Sequence, residues 1–258
     1  MSTHRFFLES MLPGDPGSCP LPLSARDVHH ATSVLRLSEG AEMVLVEPAG
    51  AAWKVRLTEI GANGIFAEPV ERLPEAPPCR VTLIQGVAKG GKMDLVVEKA
   101  TELNIEAVMP VFTERSVVRL DTEKVRVRGD RWRRVALAAA KQSQRTSVPI
   151  VTDPLSFADA RGRLSEFDTV LVVWEGASAT GPGIGQALDE SRVTLESRVA
   201  VVVGPEGGLT AEEVYELEAS GARAVTLGET VLRSETAGIV AAALCAYELG
   251  ALGGRPRA

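Results

Sequence analysis

Two glycine-containing segments near the C-terminal end of the sequence have the residue types of a ligand-binding site. Val201–Gly208 (VVVGPEGG) and Leu227–Ala237 (LGETVLRSETA) each turn from an apolar run into polar residues. Between them, Thr210 and Glu213 have the spacing of a capping box that begins a helix, and Gly221 marks its end. Because ligands of open α/β sheets bind at the carboxyl ends of the strands, we expect both loops to form one site.

The elements that must position these loops are strands that alternate with helices. This alternation, from residue 80 to the end of the chain, predicts a parallel α/β sheet. The predicted strands are Arg80–Gln85, Ala107–Val111, Thr169–Trp174, Arg198–Val203 and Ala224–Leu227. The predicted helices are Lys92–Leu103, Trp132–Gln144, Thr210–Gly221 and Ser234–Glu248. The last helix is almost wholly apolar, so we expect it to be buried in a core or against a partner subunit.

The chain is predicted to contain two domains that are joined by a proline-rich linker. Residues 1–72 hold short β-like runs and a helical pattern over Ser24–Leu37, which predict a small β-barrel with one helix. Three prolines within Leu73–Pro78 exclude regular structure there, so the linker is placed at residues 73–79. The second domain then covers residues 80–258.

Charge is distributed unevenly along the chain. The net charge is −6, but Arg115–Arg145 holds ten basic and three acidic residues, a local +7 that leaves −13 for the rest. A basic segment in an acidic protein is expected where phosphates dock, and it is equally expected on a solvated helix face. From the residues alone, both interpretations stay open.

Composition excludes several classes of protein. There is no apolar run of transmembrane length, and the N-terminus lacks the pattern of a signal peptide, so we expect a cytoplasmic protein with no membrane partner. The three cysteines, Cys19, Cys79 and Cys245, are far apart and have no histidine near them. We therefore expect neither a metal site nor a disulfide framework.

At the two glycine-containing segments, the sequence resembles the SPOUT class of methyltransferases. More narrowly, it is similar to the bacterial 16S ribosomal RNA uracil-N3 methyltransferase family, and the resemblance covers nearly the whole chain. It departs from the family pattern in small ways, such as Asn104 in place of a usual glycine. The other matching motifs are His4–Phe7, His30–Arg36, Glu98–Leu103, Arg131–Trp132, Lys141–Arg145 and Val148–Pro149.

The resemblance implies a fold, a substrate and an assembly. It implies a PUA-like barrel that grips RNA, followed by a SPOUT-type sheet whose C-terminal strands form a trefoil knot through which the last helix is threaded. It implies methylation of N3 of a uridine in the decoding region of 16S ribosomal RNA, U1498 in the family, within the assembled small ribosomal subunit. It also implies a homodimer in which the donor site borders the subunit interface.

The resemblance also implies that S-adenosylmethionine is the methyl donor. The residues assigned to donor binding are Glu175, Val203, Gly204, Pro205, Gly208, Leu227, Gly228, Val231, Leu232, Thr236 and Ala237. Arg233 is the leading catalytic candidate, because an arginine can stabilise negative charge that develops on the uracil oxygens. Glu206 or Glu235 would orient Arg233 or accept the proton, and water is a further candidate for the base.

The residues assigned to RNA binding lie in both predicted domains. They are Arg5, Arg36, Lys89, Lys92, Arg115, Lys141, Gln142 and Arg145.

Two alternatives to the methyltransferase interpretation stay open. One is a non-catalytic RNA-binding or ribosome-assembly protein that retains the fold but has lost donor binding.

The second alternative is a P-loop nucleoside triphosphatase. Gly86–Met93 (GVAKGGKM) has the spacing G-x-x-x-x-G-K, but Met93 stands where a Ser or Thr hydroxyl would hold magnesium. Contacts of Lys89 and Lys92 to RNA phosphates explain the motif better. A further glycine-rich stretch, Gly181–Gly185, has no strand directly before it and is predicted to be a loop.

Overall fold

The computed structural model describes residues 4–13, 17–74, 78–116, 122–177 and 181–253. The chain divides into two compact units: residues 1–77 with 140–148, and residues 78–139 with 149–258. The sequence-based boundary assigned residues 140–148 to the second domain, whereas the structure groups them with the first unit. The predicted linker, residues 73–79, lies partly outside the described residues.

The first unit is built around a four-stranded sheet and a short helix. The strands pair in the order β1-β2-β3-β4, with β1 parallel to β2 and the other pairs antiparallel. The strands are β1 (Arg5–Phe7), β2 (Glu42–Val46), β3 (Ala52–Gly61) and β4 (Gly64–Leu73). Helix α1 (Ala25–His29) begins at Ser24, whose side chain accepts a hydrogen bond from the Asp27 N–H, and continues as a π-helical turn over His30–Val34. The helix ends before the predicted Leu37, and Arg36 has a positive φ of 52°.

An extended segment connects the two edges of this sheet. The Leu21 N–H donates to the Ile65 carbonyl in β4, and the Glu9 N–H, just after β1, donates to the Pro22 carbonyl. Phe6, Met43, Leu45, Leu57 and Ile65 are among the buried side chains that fill the interior. The sheet therefore curls around an apolar core, as expected for the predicted barrel.

Residues 140–148 are tied to the first unit by polar contacts. The Arg5 guanidinium donates to the Arg145 carbonyl over 2.8 Å, and the Lys141 ammonium lies 2.6 Å from the Asp27 carboxylate. Arg145 is only 6% exposed, and burial lowers the pKa of its guanidinium to about 10. These contacts join residues more than one hundred positions apart, which a local pattern does not encode.

The second unit is a parallel α/β sheet, as the alternating pattern predicted. Its strands follow the order β11-β9-β10-β5-β6-β7, with β8 also pairing with β6, and every pair is parallel. The strands are β5 (Cys79–Gly86), β6 (Ile105–Phe112), β7 (Ile150–Val151), β8 (Leu155–Ser156), β9 (Thr169–Val173), β10 (Val199–Val203) and β11 (Arg223–Val225). The helices are α2 (Lys92–Glu102), α3 (Thr122–Gln142), α4 (Phe157–Gly162), α5 (Ile184–Glu190), α6 (Ala211–Ala219) and α7 (Ser234–Glu248).

Two helices differ from the sequence prediction. Helix α3 begins ten residues before the predicted Trp132, because its arginine-rich first half carries no apolar periodicity to reveal it. The stretch Gly181–Gly185 is a loop only as far as Gly183, because Ile184 and Gly185 form the start of α5. The Thr226 N–H donates to the Pro182 carbonyl, which ties this stretch to the end of β11.

The register of three neighbouring strands positions the site. Val203 of β10 lies beside Val173 of β9, and Val173 lies beside Val225 of β11. All three residues end their strands. The segments that follow them therefore leave the sheet at the same edge, where the glycine loops were expected to meet.

Helix α7 is buried against the sheet, as its apolar composition predicted. It packs against α2, α5, β5 and β10. Ala241, Ala242, Cys245 and Ala246 are fully buried, whereas Leu244 and Tyr247 stay exposed on its other side. Among the residues that the structure describes, no helix combines the length and apolar character needed to cross a bilayer.

Candidate active site

A cavity of about 350 Å³ lies at the carboxyl ends of β9, β10 and β11. Pockets that bind small ligands have volumes of roughly 300–1,000 Å³. Three chain segments line the cavity, within residues 173–177, 203–209 and 226–234, together with Lys92 and Ala237. The two glycine-containing loops thus meet in one pocket, and a third segment after β9 joins them.

The first loop, residues 204–208, is a tight turn that requires glycine. A Cβ atom at Gly204 would lie 2.7 Å from the backbone carbon of Gly208, which is closer than real side chains approach. Gly208 has φ +70° and its N–H donates to the Pro205 carbonyl over 2.9 Å. The close packing of this turn therefore requires glycine at position 204, and its positive φ favours glycine at position 208.

The second loop, residues 227–233, follows β11 and ends at α7. Gly228 adopts φ +107°, and its N–H donates to Thr226 Oγ1 over 3.1 Å. Val231 is 75% exposed although it lines the pocket, so this loop forms the solvent-exposed side of the pocket. Arg233 directly precedes the first turn of α7, and it is exposed and lines the pocket.

One lysine and two carboxylates form a charged cluster at the pocket. Lys92 Nζ lies 2.9 Å from Glu206 Oε1 and 3.4 Å from Glu235 Oε2. Glu206 also accepts a hydrogen bond from the Lys89 N–H over 3.0 Å. Burial acts to raise the pKa of Glu206, but the bonds from Lys92 and from backbone N–H groups outweigh it and lower that pKa. The hydrogen bond to Glu206 correspondingly raises the pKa of Lys92.

Comparison with known proteins identifies the family. Residues 75–246 match the model of an RNA methyltransferase domain, and residues 23–70 match that of an RNA methyltransferase PUA domain. The chain is 31% identical over 252 residues to ribosomal RNA small subunit methyltransferase E of Bacillus subtilis, covering 97% of this chain and 98% of that protein. The chain belongs to this family. The family member from Mycobacterium bovis is 33% identical over 230 residues, covering 87% of this chain and 82% of that protein.

Solved structures of relatives share the fold of this small subunit methyltransferase E family member. Ribosomal RNA small subunit methyltransferase E from Neisseria gonorrhoeae, bound to S-adenosyl methionine, has a TM-score of 0.79 and 28% identity, covering 97% of this chain and 98% of that chain. A putative methyltransferase from Legionella pneumophila, in complex with bound cofactor SAM, has a TM-score of 0.80 and 25% identity, covering 95% and 97%.

Most residues assigned to donor binding from the sequence meet in the pocket. Thr236 does not line it and is exposed on the first turn of α7. Those that do are Glu175, Val203, Gly204, Pro205, Gly208, Leu227, Gly228, Val231, Leu232 and Ala237. The lining residues that sequence reasoning missed are Val173, Trp174, Ala177, Leu209, Thr226, Glu229, Thr230 and Ser234. Five of these are immediate neighbours of residues assigned to donor binding, and Ser234 lies between the catalytic candidates Arg233 and Glu235. Widening each assigned stretch by one position would therefore have found six of the eight.

The candidate catalytic residues are arranged differently from the sequence hypothesis. Arg233 and Glu206 line the pocket, whereas Glu235 is buried beside it. Both carboxylates contact Lys92, and within the described part of the chain neither forms an ion pair with Arg233. Lys92 is therefore the residue that these two carboxylates orient.

Three of the residues assigned to RNA binding lie at this pocket or beside it. Lys92 lines it, and Lys89 contacts Glu206 through its backbone N–H. Arg115 donates from Nη1 to the Gly207 carbonyl over 2.8 Å, so its guanidinium lies across the first loop. These three basic residues follow β5 and β6 in the chain and lie next to the first loop.

The other five residues assigned to RNA binding lie in the first unit. Arg36 and Gln142 are exposed. Lys141 is paired with Asp27, and Arg5 and Arg145 are engaged in the contacts described above. The structure therefore leaves Arg36 and Gln142 available to an external partner and places Arg145 in the interior.

The glycine-rich segment after β5 is not arranged as an open phosphate site. A Cβ at Gly86 would lie 2.4 Å from the Pro205 nitrogen, so this glycine packs directly against the first loop. Met93 is 1% exposed and belongs to the core. Glu206 accepts from the Lys89 N–H and pairs with Lys92. The Glu206 carboxylate thus already contacts the Lys92 ammonium and the Lys89 N–H, the two groups that a bound phosphate would contact.

Proposed function

We propose that this chain transfers the methyl group of S-adenosylmethionine to N3 of a uridine in 16S ribosomal RNA, U1498 in the family's target. The observation that carries the proposal is the pocket at three adjacent strand ends, to which both glycine loops contribute. It is supported by relatives of known structure that bind this donor and share more than nine tenths of their length with this chain.

The pocket suits a donor that is both flat and cationic. The turn at Gly204 and the loop at Gly228 expose backbone groups to an adenine edge, while Leu227 and Leu232 supply apolar contact. The carboxylates of Glu175 and Glu229 face the same space, and they would favour the positive sulfonium over the neutral thioether product. Bound S-adenosylmethionine supplies an electrophilic methyl group. The protein then has to hold the acceptor base in line with it, and such positioning contributes about 7–11 kcal/mol in favourable cases.

Arg233 is placed to stabilise charge on the acceptor. Negative charge develops on the uracil oxygens as N3 loses its proton, and a guanidinium at the pocket wall lowers the energy of that charge. Glu206 is a poor proton acceptor because its pKa is lowered. Glu235 is buried, and its Oε2 lies 3.4 Å from Lys92 Nζ. We therefore assign proton acceptance to water and assign the two carboxylates to the placement of Lys92.

The proposed substrate is RNA within the assembled small subunit. The Lys89 and Arg115 side chains lie beside the pocket, where phosphates flanking the target uridine would lie, whereas Lys92 is engaged by Glu206 and Glu235. Arg36 and Gln142 offer polar side chains on the first unit. The target base has to leave its stack to reach the pocket, as in other enzymes that modify bases.

We further propose that the C-terminal strands form a trefoil knot and that the protein is a homodimer. The contacts of α7 with α2, β5 and β10 support a threaded final helix. Leu244 and Tyr247, which are 40% and 50% exposed on α7, support an apolar subunit interface. Sedimentation equilibrium of the purified protein tests the dimer, and a monomer at micromolar concentration would contradict it.

Donor binding and methyl transfer test the proposed function together. Titration calorimetry with S-adenosylmethionine should show binding that Gly204→Ala abolishes, because the new Cβ collides with the Gly208 backbone. Gly162→Ala is the matched control, since a Cβ at that position meets nothing within 4 Å. Small subunits that lack the modification are then incubated with the protein and S-adenosylmethionine. Mass spectrometry of their nucleosides should reveal 3-methyluridine.

Two outcomes would redirect the assignment. A folded protein that binds 16S ribosomal RNA but not the donor would be the non-catalytic RNA-binding protein. Magnesium-dependent ATP binding that is lost in Lys92→Ala would instead favour the P-loop alternative. Parallel assays with naked 16S RNA and with assembled subunits identify which of the two is the substrate.

A further inference from the structure

A buried amide behind the pocket joins three chain segments that meet there. Gln85, near the end of β5, has no exposed surface. Its Nε2 atom lies 3.0 Å from Ser234 Oγ and 3.3 Å from the carbonyl oxygens of both Gly204 and Gly86. One side chain therefore connects the end of β5, the first loop and the first residue of α7.

The hydrogen-bond chemistry fixes the direction of this network. The Ser234 hydroxyl has a single hydrogen, and it donates to the Gly204 carbonyl over 2.5 Å. Ser234 Oγ must then accept from Gln85, and the carbonyl oxygens of Gly86 and Gly204 also need a donor. The amide nitrogen has two hydrogens, which suffice for Ser234 Oγ and the Gly86 carbonyl because the Gly204 carbonyl also accepts from Ser234. A side chain without N–H groups would remove the buried donor to both of these acceptors.

Helix α7 packs closely against the side-chain amide of Gln85. A Cβ atom at Gly238 would lie 2.2 Å from Gln85 Oε1, so only glycine lets the helix approach this closely. The amide thus contacts α7 at its first residue and again one turn later. The start of the helix is fixed in position against β5.

We propose that Gln85, acting through Ser234, is a positioning residue for Arg233, and that it sets the methyl-acceptor side of the pocket. Arg233 directly precedes Ser234, so a shift at the start of α7 moves its guanidinium. The first loop has further ties, because Gly208 bonds to Pro205 and Arg115 bonds to Gly207. Loss of the Ser234 link should therefore disturb Arg233 more than it disturbs donor contacts. This inference rests on the proposed function.

A double-mutant cycle tests the positioning role. Ser234→Ala and Gln85→Met are prepared alone and in combination with Arg233→Ala, and single-turnover methyl transfer to small subunits is measured at saturating S-adenosylmethionine. Since misplacement by about 1 Å can cost on the order of a hundredfold in rate, we expect each variant to lose roughly ten- to a hundredfold. For Ser234→Ala, the Kd for the donor should change by less than about threefold, because the loop backbone keeps its other bonds. In the Arg233→Ala background neither change should reduce the rate further, because residues that act as a unit are not additive.

Controls separate this role from a general effect on the fold. Thr82→Val changes another buried side chain of β5, away from the pocket lining, and should keep the rate of the unmodified protein. If Gln85→Met loses its cooperative thermal transition, Ser234→Ala carries the test, since it removes one hydroxyl and leaves the amide bonded to both carbonyls. Losses that multiply with Arg233→Ala, or full activity in folded Ser234→Ala, would overturn the positioning role alone. An unmodified protein that transfers no methyl group would overturn the proposed function, and this proposal with it.

Discussion

At the scale of single residues, the pocket separates two kinds of charged group. Arg233 lies exposed at the wall, whereas Lys92 is held between Glu206 and Glu235. A cation that is already paired contributes less to a developing charge than one that faces the acceptor directly. Arg233 is therefore the residue whose removal should affect the chemical step most directly.

We expect Arg233→Ala to lower kcat by about 10²–10³, as the loss of one oxyanion-stabilising donor typically does. The Kd for S-adenosylmethionine should stay nearly unchanged, and so should Tm, since the side chain is exposed. Methyl-transfer kinetics and calorimetry measure the two effects separately. Arg80→Ala, at the opposite end of β5, is the matched control and should keep full activity. Weaker donor binding with an unchanged kcat would instead place Arg233 on the donor.

The Lys92–Glu206 pair predicts a pH-dependent contribution to stability. The folded pKa of Glu206 lies below its ordinary 4.5, so its contribution is present above that pH and is lost as the pH falls through the folded pKa. The pKa of Lys92 lies above 10.5, so its contribution is present below that pH and is lost as the pH rises further. The pair should therefore be complete between these two limits.

Glu206→Gln should lower Tm at pH 7 and should lower it progressively less as the pH is reduced below 4.5. Scanning calorimetry of both proteins from pH 3 to pH 9 measures the difference. Glu218→Gln removes the same charge from the exposed side of α6 and serves as the control. A Tm difference that is the same at pH 3 and pH 7 would contradict the assignment to this ion pair.

At the scale of elements, helix α6 anchors the first loop. Thr210 Oγ1 accepts from the Glu213 N–H, and the Glu213 carboxylate accepts from the Thr210 N–H, which completes the predicted capping box. Glu213 is buried and also accepts from the Glu114 N–H over 2.8 Å. The capping box thus links the loop after β10 to the loop after β6, a connection that spacing alone did not reveal.

Thr210→Ala should destabilise the protein by about 1 kcal/mol, the typical cost of losing a helix N-cap. For a domain of this size, that corresponds to a fall in Tm of roughly 2–4 °C. Thermal unfolding measures the change, and Ser220→Ala at the other end of α6 should stay within about 0.5 kcal/mol of the unmodified protein. Equal effects of both substitutions would show that the cap is not the source.

At the scale of the whole molecule, the basic segment is partly neutralised by the fold. Arg131 pairs with Asp94, Arg133 pairs with Asp130 and Asp153, and Lys141 pairs with Asp27. Arg126 lies 3.8 Å from Asp130, and Arg126 and Arg134 on α3 both keep exposed side chains. The local charge that can reach an RNA backbone is therefore smaller than the sequence count of +7 suggested.

We expect the double substitution Arg126→Ala with Arg134→Ala to weaken binding to small subunits. The slope of log affinity against log salt should decrease by about 2, since each lost phosphate contact removes about one unit. Filter binding at salt concentrations from about 50 to about 200 mM, the range over which counterion release changes the affinity strongly, measures the slope. Arg161→Ala, on α4 and paired with Glu216, is the control. An unchanged slope would show that α3 does not contact the backbone.

Local patterns in the sequence determined the kind of elements and the kind of site. Both glycine loops, the capping box at Thr210, the parallel sheet and the buried final helix depend on spacing within about a dozen residues, and the structure contains all of them. The close approach at Gly204 and the positive φ of Gly228 explain why glycine stands at these two positions of the pocket. The motif resemblance then pointed to the family that the comparisons confirm.

Only the tertiary structure decided which side chains complete the site. The order of the sheet places β5 beside β10, which brings Gln85 to Ser234, 149 positions further along the chain. The same order directs Lys92 to Glu206 and Arg115 to Gly207. Strand order and register arise from packing over the whole domain, and a linear pattern of apolar and polar residues does not encode them. For that physical reason the sequence revealed the loops of this pocket but not the contacts that orient its charged groups.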